Sequence, residues 1–513
     1  MPTPAPRPPA LRLAALAMLV ALLPLAAQEA TPALGFVAPP PPYPFAMCSN
    51  PGIINNPAYA EKMLDAGARL CRADFTFGGV RPKPGDDPAT WNWASLEKLR
   101  AVRAKHPDLQ FLVLLGYGAL WAEDEKFRDP KPLPEGARPP FNGPQAGASI
   151  LPPDDPRNLY GHYVYEVVKR YRDVVSCWES WNEPDLPGHH YFRGSGKDFF
   201  AYQKACYLAA KKADPKCTVL FAGMCYASIE GYLAAHQLKV PSPYPPKTSF
   251  FEEYLQECVK DPDARANGFY FDVMNQHSYS RASDVYDYVV INHKLMQDYL
   301  GVVKPTWVTE MGIVDAEKPN GFGCTPTEYC DYLLQSFAWG RLAGVERFFH
   351  FQLDNSNQHG LYRGMLGEAK PALTTYRDVL VKEFAEARLV KQLHGTRGVD
   401  FLAGNSAFAP TWKAGYDLFE FASRDGKRRL LLAFADTDKA VEVKVPATRA
   451  KATLVTRDNQ RKELAAVDGA YALTLPGATN VGGWPSFKDN PTAVAMGQPE
   501  HLIGGATLVL IEE

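Results

Sequence analysis

The sequence predicts an α/β fold, a (β/α)8 TIM barrel followed by a C-terminal antiparallel β-sandwich domain. Short apolar runs alternate with helical patterns over most of the chain, which is typical of parallel strands covered by helices. The stretch 45–386 has room for eight such units. Beyond about Val390 the helical patterns stop, and short alternating runs separated by turn signals follow.

The N-terminal segment, residues 1–27, is predicted to be a signal peptide. Arg7 and Arg12 precede an apolar run from Leu13 to Ala27 that ends in small residues, which is typical of secretory signals. The run is shorter than the roughly 20 apolar residues of a membrane-spanning helix. An uncleaved anchor is the alternative. We expect a secreted or periplasmic protein without membrane association once the signal is removed.

Residues 28–44 are expected to form a linker around Pro39–Pro42, or to add one strand, Ala30–Pro39, to the sandwich. The barrel then follows in residues 45–386. Its predicted helices are Asn56–Leu70, Trp93–His106, Asn158–Tyr171, Phe199–Ala213, Val285–Leu300 and Thr327–Ala343. Its predicted strands are Leu70–Phe77, Leu109–Leu115, Val174–Trp181, Thr218–Phe221, Thr306–Glu310 and Arg347–Leu353. An open doubly wound sheet is the alternative, but no glycine-rich phosphate loop supports it.

The second domain, residues 387–513, is predicted from short strands and the turn signals Asp425-Gly426 and Asp468-Gly469. The predicted strands are Leu418–Ala422, Arg429–Phe434, Ala440–Val445, Ala452–Val455 and Thr507–Ile511. This domain either supports the barrel or binds glycan on its own. The long Pro-rich stretch Asp129–Pro156 is expected to form a loop on the active face of the barrel.

Composition argues against several classes of partner. A formal net charge of −2 gives no electrostatic reason to bind nucleic acid or an anionic membrane, so a neutral substrate fits better. Nine cysteines are present, but neither these nor the histidines show the spacing of zinc ligands, so we expect no metal site. Cys324 and Cys330, which flank a loop and a helix start, are the expected disulfide pair.

The residues with the clearest chemical signal are two glutamates. Glu183 closes the segment Trp178–Asp185 at the C-terminal end of a predicted strand, and Glu310 ends the strand in Thr306–Gly312. Barrel enzymes place catalytic groups at these strand ends. Strand alternation would put Glu179, Trp181 and Glu183 on one face. Glycoside hydrolysis requires two carboxyl groups, one protonated to release the leaving oxygen and one ionised to attack the anomeric carbon.

The segment Trp181–Pro184 and the later Thr309-Glu310 resemble the retaining glycosidases of clan A, with the acid/base after strand four and the nucleophile after strand seven. The longer run Trp181–Tyr202 is most similar to glycoside hydrolase family 39, which includes β-xylosidases and α-L-iduronidases. The resemblance implies a retaining O-glycosyl hydrolase that acts on poly- or oligosaccharides, needs no cofactor, and uses Glu183 as acid/base and Glu310 as nucleophile. A transglycosylase and a non-catalytic carbohydrate-binding protein are the alternatives.

The resemblance also implies further substrate-site residues. Arg72 matches the arginine near the nucleophile, and Asn182 matches the asparagine that hydrogen-bonds the sugar 2-hydroxyl. His277 and Tyr279 match the sixth-strand His-x-Tyr, although core packing is the alternative for both. Independently of the resemblance, Trp121 follows the third predicted strand, where it would offer a stacking face to a sugar ring or fill the core.

Two regions depart from the family pattern or carry less signal. Many clan members have a tryptophan on strand eight beneath the sugar, where this chain has the run Phe348–Asp354 with His350 and Phe351. This chain therefore departs from the usual sugar platform, and only a Phe or His of this run is left to contact the ring from strand eight. His189 and His190, in the loop after the acid, are expected to be an exposed pair without a metal.

Overall fold

The structure is a computed structural model that describes residues 43–49, 51–122, 151–186, 191–235, 249–319, 323–355, 359–395, 415–480 and 501–513. The predicted signal peptide, most of the 129–156 loop and the pair His189 and His190 lie outside the described residues. So does the strand expected in Ala30–Pro39. No helix among the described ranges has both the length and the apolar character needed to cross a membrane.

Eight parallel strands form the barrel, which confirms the predicted fold class. They are β1 (Phe45–Cys48), β2 (Leu70–Asp74), β3 (Gln110–Leu114), β4 (Cys177–Glu179), β5 (Thr218–Leu220), β6 (Met274–Ser278), β7 (Thr306–Met311) and β8 (Val345–His350). They pair in the order β5-β4-β3-β2-β1-β8-β7-β6. The parallel bridges Leu220–Val273 and Met224–Gln276 join the two outer strands and close the barrel.

Helices cover the barrel between the strands. They are α1 (Ala58–Asp65), α2 (Ala94–Lys105), α3 (Leu159–Tyr171), α4 (Gly196–Ala213), α5 (Phe250–Lys260), α6 (Asp284–Leu300), α7 (Pro326–Leu342) and α8, composed of Pro371–Thr374, the π-helical turn Thr375–Val381 and Lys382–Phe384. Shorter helices and strands lie in the connections: Gly52–Asn55, Phe77–Val80, Pro88–Thr90, Leu120–Ala122, Ala227–Ala235, Gly268–Tyr270, Val314–Asp315 and Gly323–Cys324. Ser195 and Thr325 begin α4 and α7 with capping boxes, which satisfy otherwise free backbone donors.

An antiparallel sandwich follows the barrel. Its strands are β9 (Ala387–His394), β10 (Gly415–Ser423), β11 (Arg429–Asp436), β12 (Val441–Pro446), β13 (Lys451–Thr456), β14 (Arg461–Ala465), β15 (Ala470–Leu475) and β16 (Leu508–Glu512). Six strands form one sheet in the order β9-β10-β11-β16-β13-β14, and β12 pairs with β15. Leu431, Val445 and Leu473 belong to the apolar cluster between these sheets, because alternate residues of each strand face inward.

The other face of the six-stranded sheet packs on the barrel through α7. Every residue of this helix from Tyr329 to Arg341 is buried. Phe337 stacks on Phe421 with ring centroids 5.9 Å apart, and Trp339 meets Phe419 edge-on at 5.1 Å. The barrel and the sheet therefore share one apolar core.

The expected disulfide between Cys324 and Cys330 is wrong. All nine cysteines are free and buried, and the thiol of Cys330 is directed to the carbonyl oxygen of Pro326 at 3.4 Å within its own helix. A cysteine in such apolar surroundings behaves as a small hydrophobic residue.

Candidate active site

Two glutamates face each other at the C-terminal ends of the barrel strands. Glu310 lies next to the end of β7, and Glu183 lies in the loop after β4. One oxygen of each and a ring nitrogen of His277 all lie within 4.8 Å of one another. The side chains of Glu183 and Glu310 are 12% and 10% exposed. The predicted acid pair is therefore assembled at the face where barrel enzymes carry their catalytic groups.

The loop after β4 fixes the backbone of Glu183. This residue has a φ of 39°, a left-handed conformation that residues with a side chain rarely adopt. Its N–H donates to the carbonyl oxygen of Gly223 at 2.8 Å. A Cβ at Gly223 would lie 2.1 Å from Nε2 of His277, so only glycine fits between this loop and the sixth strand.

Arg72 binds the nucleophile candidate and two neighbouring side chains at once. Its side chain is 4% exposed. Nη1 donates to Oε1 of Glu310 at 2.5 Å. Nε and Nη2 donate to the two oxygens of Glu179 at 2.6 Å and 2.9 Å, and Nη2 also donates to Oδ1 of Asn182 at 2.9 Å. Because Arg72 supplies only donors, the amide group of Asn182 must present its oxygen here and its NH2 elsewhere.

Charged and polar neighbours keep Glu310 ionised. Tyr279 donates its hydroxyl hydrogen to Oε2, the oxygen that Arg72 does not bind. Burial acts to raise the pKa of Glu310, but the neighbouring His277 and Arg72 and the hydrogen bonds from Tyr279 and Arg72 lower it, and the net shift is downward. The pKa of Tyr279 is raised because burial and the Glu310 charge disfavour its phenolate. Glu310 therefore presents a carboxylate, and Tyr279 stays a donor.

His277 lies between the two glutamates and is fully buried. Its Nδ1 is 2.9 Å from Oε1 of Glu183 and 3.6 Å from Oε2 of Glu310, while its Nε2 is 3.1 Å from Oγ1 of Thr309. A register irregularity between Gln276 and His277 pairs the histidine with Glu310 rather than with Thr309. Glu183 thus has a proton-exchanging partner, whereas Glu310 has donors on both oxygens.

Several residues of the site were not predicted as such. Strand alternation placed Glu179 only on one face with Trp181 and Glu183, whereas the structure shows it fully buried and bound to Arg72. Strand alternation could have identified it. Leu70 and Cys177 line the barrel interior, so Arg72 and Glu179, two residues after each, also face inward. An acid at an inward position of an otherwise apolar strand requires a buried cation.

Asp185 is a second residue near the site that the sequence did not predict. Both of its oxygens accept backbone N–H groups, from Cys225 and Ser228, at 2.9 Å each. Burial raises the pKa of Asp185 to about 6, although these hydrogen bonds act to lower it. Asp185 connects the loop that carries Glu183 to the start of helix Ala227–Ala235. Nothing in the local sequence identifies these partners, since they lie far along the chain.

Among the described residues, Trp121 contacts Arg81 and Phe77 rather than the acid pair. Its Nε1 donates to the carbonyl oxygen of Arg81 at 2.9 Å, and its ring packs edge-on against Phe77 at 5.7 Å and over the Arg81 guanidinium. These contacts favour the packing alternative. The expectation that Trp181 shares a face with Glu183 is wrong: β4 ends at Glu179, and Trp181 packs outward against Tyr202 at 5.5 Å.

In the strand-eight run, one aromatic ring reaches the site. Phe349 and His350 are buried, but Phe351 is half-buried beyond the end of the strand. Its ring meets Tyr279 edge-on with centroids 5.6 Å apart, and it contacts His359 at 5.8 Å. Burial lowers the pKa of His359 to about 4, so this imidazole is neutral near pH 7.

Within the described part of the chain, Glu183, His277 and Glu310 are the one group of three whose donor atoms converge as metal ligands would. Both oxygens of Glu310 already accept hydrogen bonds from Arg72 and Tyr279. The paired carboxyl groups can act directly, one as proton donor and one as nucleophile, and this arrangement is typical of glycosidases.

Comparisons with known proteins agree with this geometry. Residues 222–378, which include β6, β7 and β8, match the family described as glycosyl hydrolase catalytic core. Among curated proteins, none matches the sequence significantly.

Solved structures share the fold at low sequence identity. A family 39 glycoside hydrolase from the gut symbiont Bacteroides cellulosilyticus WH2 has a TM-score of 0.58 and 14% identity, over 92% of this chain and 81% of that chain. A GH30 endoxylanase from Clostridium papyrosolvens C71 has a TM-score of 0.54 and 12% identity, over 94% and 98%. A monomeric β-xylosidase from Caulobacter crescentus CB15 has a TM-score of 0.50 and 13% identity, over 93% and 97%.

The structural neighbours establish the barrel-and-sandwich architecture, and the family match covers the part of the barrel that contains His277, Tyr279 and Glu310. Residues 222–378 of this chain therefore match a glycosyl hydrolase catalytic core, within a fold that the solved glycoside hydrolases share.

Proposed function

We propose that this protein cleaves O-glycosidic bonds of poly- or oligosaccharides with retention of configuration, through two displacements at the anomeric carbon. Glu310 is the nucleophile and Glu183 is the acid/base. The observation that carries this proposal is the asymmetry of the pair: Arg72 and Tyr279 each bind one oxygen of Glu310, while Glu183 faces a proton-exchanging histidine. An oxygen of each carboxyl group lies within 4.8 Å of the other, which is closer than the roughly 6.5–9.5 Å that separates the carboxyl groups of inverting enzymes and favours the retaining route.

In the first displacement, an oxygen of Glu310 attacks the anomeric carbon while Glu183 transfers its proton to the glycosidic oxygen. The C–O bond to the leaving group breaks, and a glycosyl ester forms on Glu310. Asn182, whose oxygen is held by Arg72, directs its NH2 group to the sugar 2-hydroxyl, a contact that strengthens in the transition state.

In the second displacement, the Glu183 carboxylate takes a proton from a water molecule whose oxygen attacks the anomeric carbon. The ester bond breaks, and Glu310 leaves as a carboxylate held again by Arg72 and Tyr279. Both steps therefore use the same two side chains in exchanged roles.

Secretion and the substrate belong to the same proposal. Residues 1–27 direct export, so the enzyme meets glycans outside the cytoplasm. Solved structures with this fold include an endoxylanase and a β-xylosidase, and we therefore place xylosides first in a substrate panel. Phe351 supplies the aromatic face against which the sugar ring packs.

The test is covalent labelling with a panel of 2-deoxy-2-fluoroglycosides that carry good leaving groups, followed by peptide mass mapping. We expect the label on Glu310, and we expect no label in Glu310→Gln. Glu346→Gln, which changes a carboxylate at the opposite end of the barrel strands, is the matched control and should label normally. A label on another carboxylate would overturn the assignment of the nucleophile.

The acid/base is tested separately with Glu183→Gln. Activity on substrates with poor leaving groups should fall by about 10²–10⁴-fold, while activated aryl glycosides lose less in the first step. Equal losses on both substrate classes would count against Glu183. Product analysis distinguishes hydrolysis from transglycosylation, since a transglycosylase transfers the label sugar to an added acceptor in preference to water.

A further inference from the structure

Three buried side chains beyond Glu183 form one hydrogen-bonded series. Nδ1 of His277 is 2.9 Å from Glu183, and Nε2 is 3.1 Å from the hydroxyl of Thr309. The Thr309 hydroxyl donates to Oδ1 of Asn275 at 2.7 Å. Thr309 and Asn275 are both fully buried, so no bulk water competes for these groups.

The direction of each hydrogen bond in this series follows from the orientation of the Asn275 amide, at the end farthest from Glu183. The backbone N–H of Thr309 also donates to Oδ1 of Asn275, at 3.3 Å. If the Asn275 amide were flipped, its NH2 group would face the N–H of Thr309, and two donors would meet. The amide oxygen of Asn275 therefore faces Thr309. The Thr309 hydroxyl has one hydrogen, and Asn275 accepts it. Oγ1 of Thr309 can therefore only accept from His277, which requires a hydrogen on Nε2.

We propose that Asn275 and Thr309 are positioning residues that hold His277 as its Nε2–H tautomer, so that Nδ1 accepts the proton of Glu183 and keeps it in its acid form. This inference rests on the proposed function, because it assigns a task to the proton of the acid/base. With the opposite tautomer, Nδ1–H would donate to the Glu183 carboxylate and stabilise the ionised form instead.

The neighbouring charges act on the proton that Glu183 and His277 share. Glu310 lies 3.6 Å from Nδ1 of His277, and Glu179 and Arg72 occupy the adjacent interior with opposite charges. Burial acts to lower the pKa of His277, but Glu310 and the hydrogen bond with Glu183 raise it, and the net shift is upward. The Glu183–His277 pair therefore retains one proton at a pH where a free imidazole would have lost it.

This arrangement has a defined place in the two displacements. When Glu183 gives its proton to the glycosidic oxygen, its carboxylate is left facing the lone pair on Nδ1 of His277. That contact is repulsive and makes Glu183 a stronger base for the second step. The proton taken from the attacking water then restores the hydrogen bond to Nδ1, so Glu183 and His277 end the cycle in their starting protonation states.

The variants that test the proposal keep or remove a single hydroxyl. Thr309→Ser retains the acceptor for Nε2, whereas Thr309→Val removes it at similar volume. Thr306→Val is the matched control, because Thr306 lies on the same strand and its hydroxyl is 2.8 Å from Nε2 of another buried histidine, His293, away from both glutamates. We expect the basic limb of the kcat/KM profile to move to lower pH by about one unit in Thr309→Val. We expect a much smaller shift in Thr309→Ser and none in Thr306→Val.

A second measurement needs no variant of Thr309. In the full protein with ¹³C/¹⁵N-labelled histidine, the His277 signals are identified by their loss in His277→Gln. At a pH above the basic limb we expect a protonated Nε2 and an unprotonated Nδ1. A neutral His277 with its hydrogen on Nδ1 would overturn the proposal, as would equal basic limbs in Thr309→Val and the unmodified protein. Since this measurement reads the tautomer directly, a failure of covalent labelling at Glu310 would reject the mechanism without affecting the result for His277.

Discussion

Arg72 gives Glu179 two hydrogen bonds, at 2.6 Å and 2.9 Å, deeper in the barrel than the catalytic pair. Glu179 is 0% exposed, so it occupies a carboxylate position that substrate does not reach. Its charge offsets that of Arg72, and its two oxygens fix the plane of the guanidinium so that Nη1 meets Glu310. The site therefore contains a third carboxylate that orients the arginine without reacting.

Replacing this carboxylate should change the pH dependence as well as the rate. In Glu179→Gln the site loses one negative charge, which makes loss of the catalytic proton easier. We expect the basic limb of the kcat/KM profile to move to lower pH, and kcat to fall by about 10–100-fold as Arg72 loses its fixed orientation. Glu252→Gln, which alters a buried acid bonded to Tyr299, is the control. An unchanged basic limb would limit Glu179 to a structural role.

The hydroxyl of Tyr279 should control the acid limb. It lowers the pKa of Glu310, so Tyr279→Phe moves that pKa back toward its ordinary value. Because Glu310 must be ionised to attack, the acid limb of kcat/KM should move to higher pH, by about one unit. Tyr163→Phe removes a buried hydroxyl that donates to the carbonyl oxygen of Phe75 and should leave the limb in place. If both variants gave the same profile, Tyr279 would have no electrostatic role.

Phe351 should affect substrate binding more than the chemical step. Its half-buried ring lies beside Tyr279, where a sugar bound at Glu310 would contact it. In Phe351→Ala we expect KM to rise by about tenfold through the loss of aromatic contact area. Phe349→Leu changes a fully buried ring in the barrel interior and should lower the melting temperature with little effect on KM. The reverse pattern would show that no sugar ring packs on Phe351.

The interface between the barrel and the sandwich contains a pH-sensitive ion pair. Arg457 donates to Asp331, which also accepts the N–H of Thr507 at 2.8 Å. Burial raises the pKa of Asp331 to about 7, although Arg457 acts to lower it. Because the folded pKa lies above the unfolded value, the stability from this group is fully present below the unfolded pKa and is lost as the pH rises through the folded one.

Arg457→Met should therefore destabilise the protein mainly at higher pH, where Asp331 is charged. Since Arg457 is partly exposed, we expect a loss of about 2–3 kcal/mol near pH 8 in urea unfolding, less than for a fully buried pair. The deficit should shrink toward pH 5, where Asp331 is protonated. Lys451→Met, in an exposed pair, should change the free energy of unfolding by less than about 0.5 kcal/mol at either pH. A deficit in Arg457→Met that does not depend on pH would contradict the assignment.

Local patterns predicted the barrel well. The predicted strand Thr306–Glu310 and helix Asn158–Tyr171 agree with β7 and α3 within one residue, because apolar periodicity decides both. Helix α5 was not predicted, although Phe251, Tyr254, Leu255 and Cys258 are buried at helical spacing. The predicted strand Val174–Trp181 is too long, since the chain leaves the sheet at Glu179 to place the next residues in the loop.

The two candidate catalytic glutamates could be predicted because each follows an apolar strand with a recognisable motif. The residues around them could be predicted only in part. Thr309 and Asn275 look like ordinary strand residues, and their task appears only when β6 and β7 lie side by side. The direction of these hydrogen bonds depends on pairing between strands that are distant in sequence. Apolar periodicity along the chain does not predict that pairing.

The contact between α7 and the sandwich limits how far this enzyme can be shortened. The helix lies between β7, which carries Glu310, and β8, which leads to Phe351. Truncation after the barrel would expose Phe337, Trp339 and the apolar side of the helix to solvent. Such a product would aggregate rather than behave as a minimal catalyst. An engineered variant must therefore keep the sandwich attached to the barrel. Any replacement domain has to preserve the surface of β10 that packs on α7.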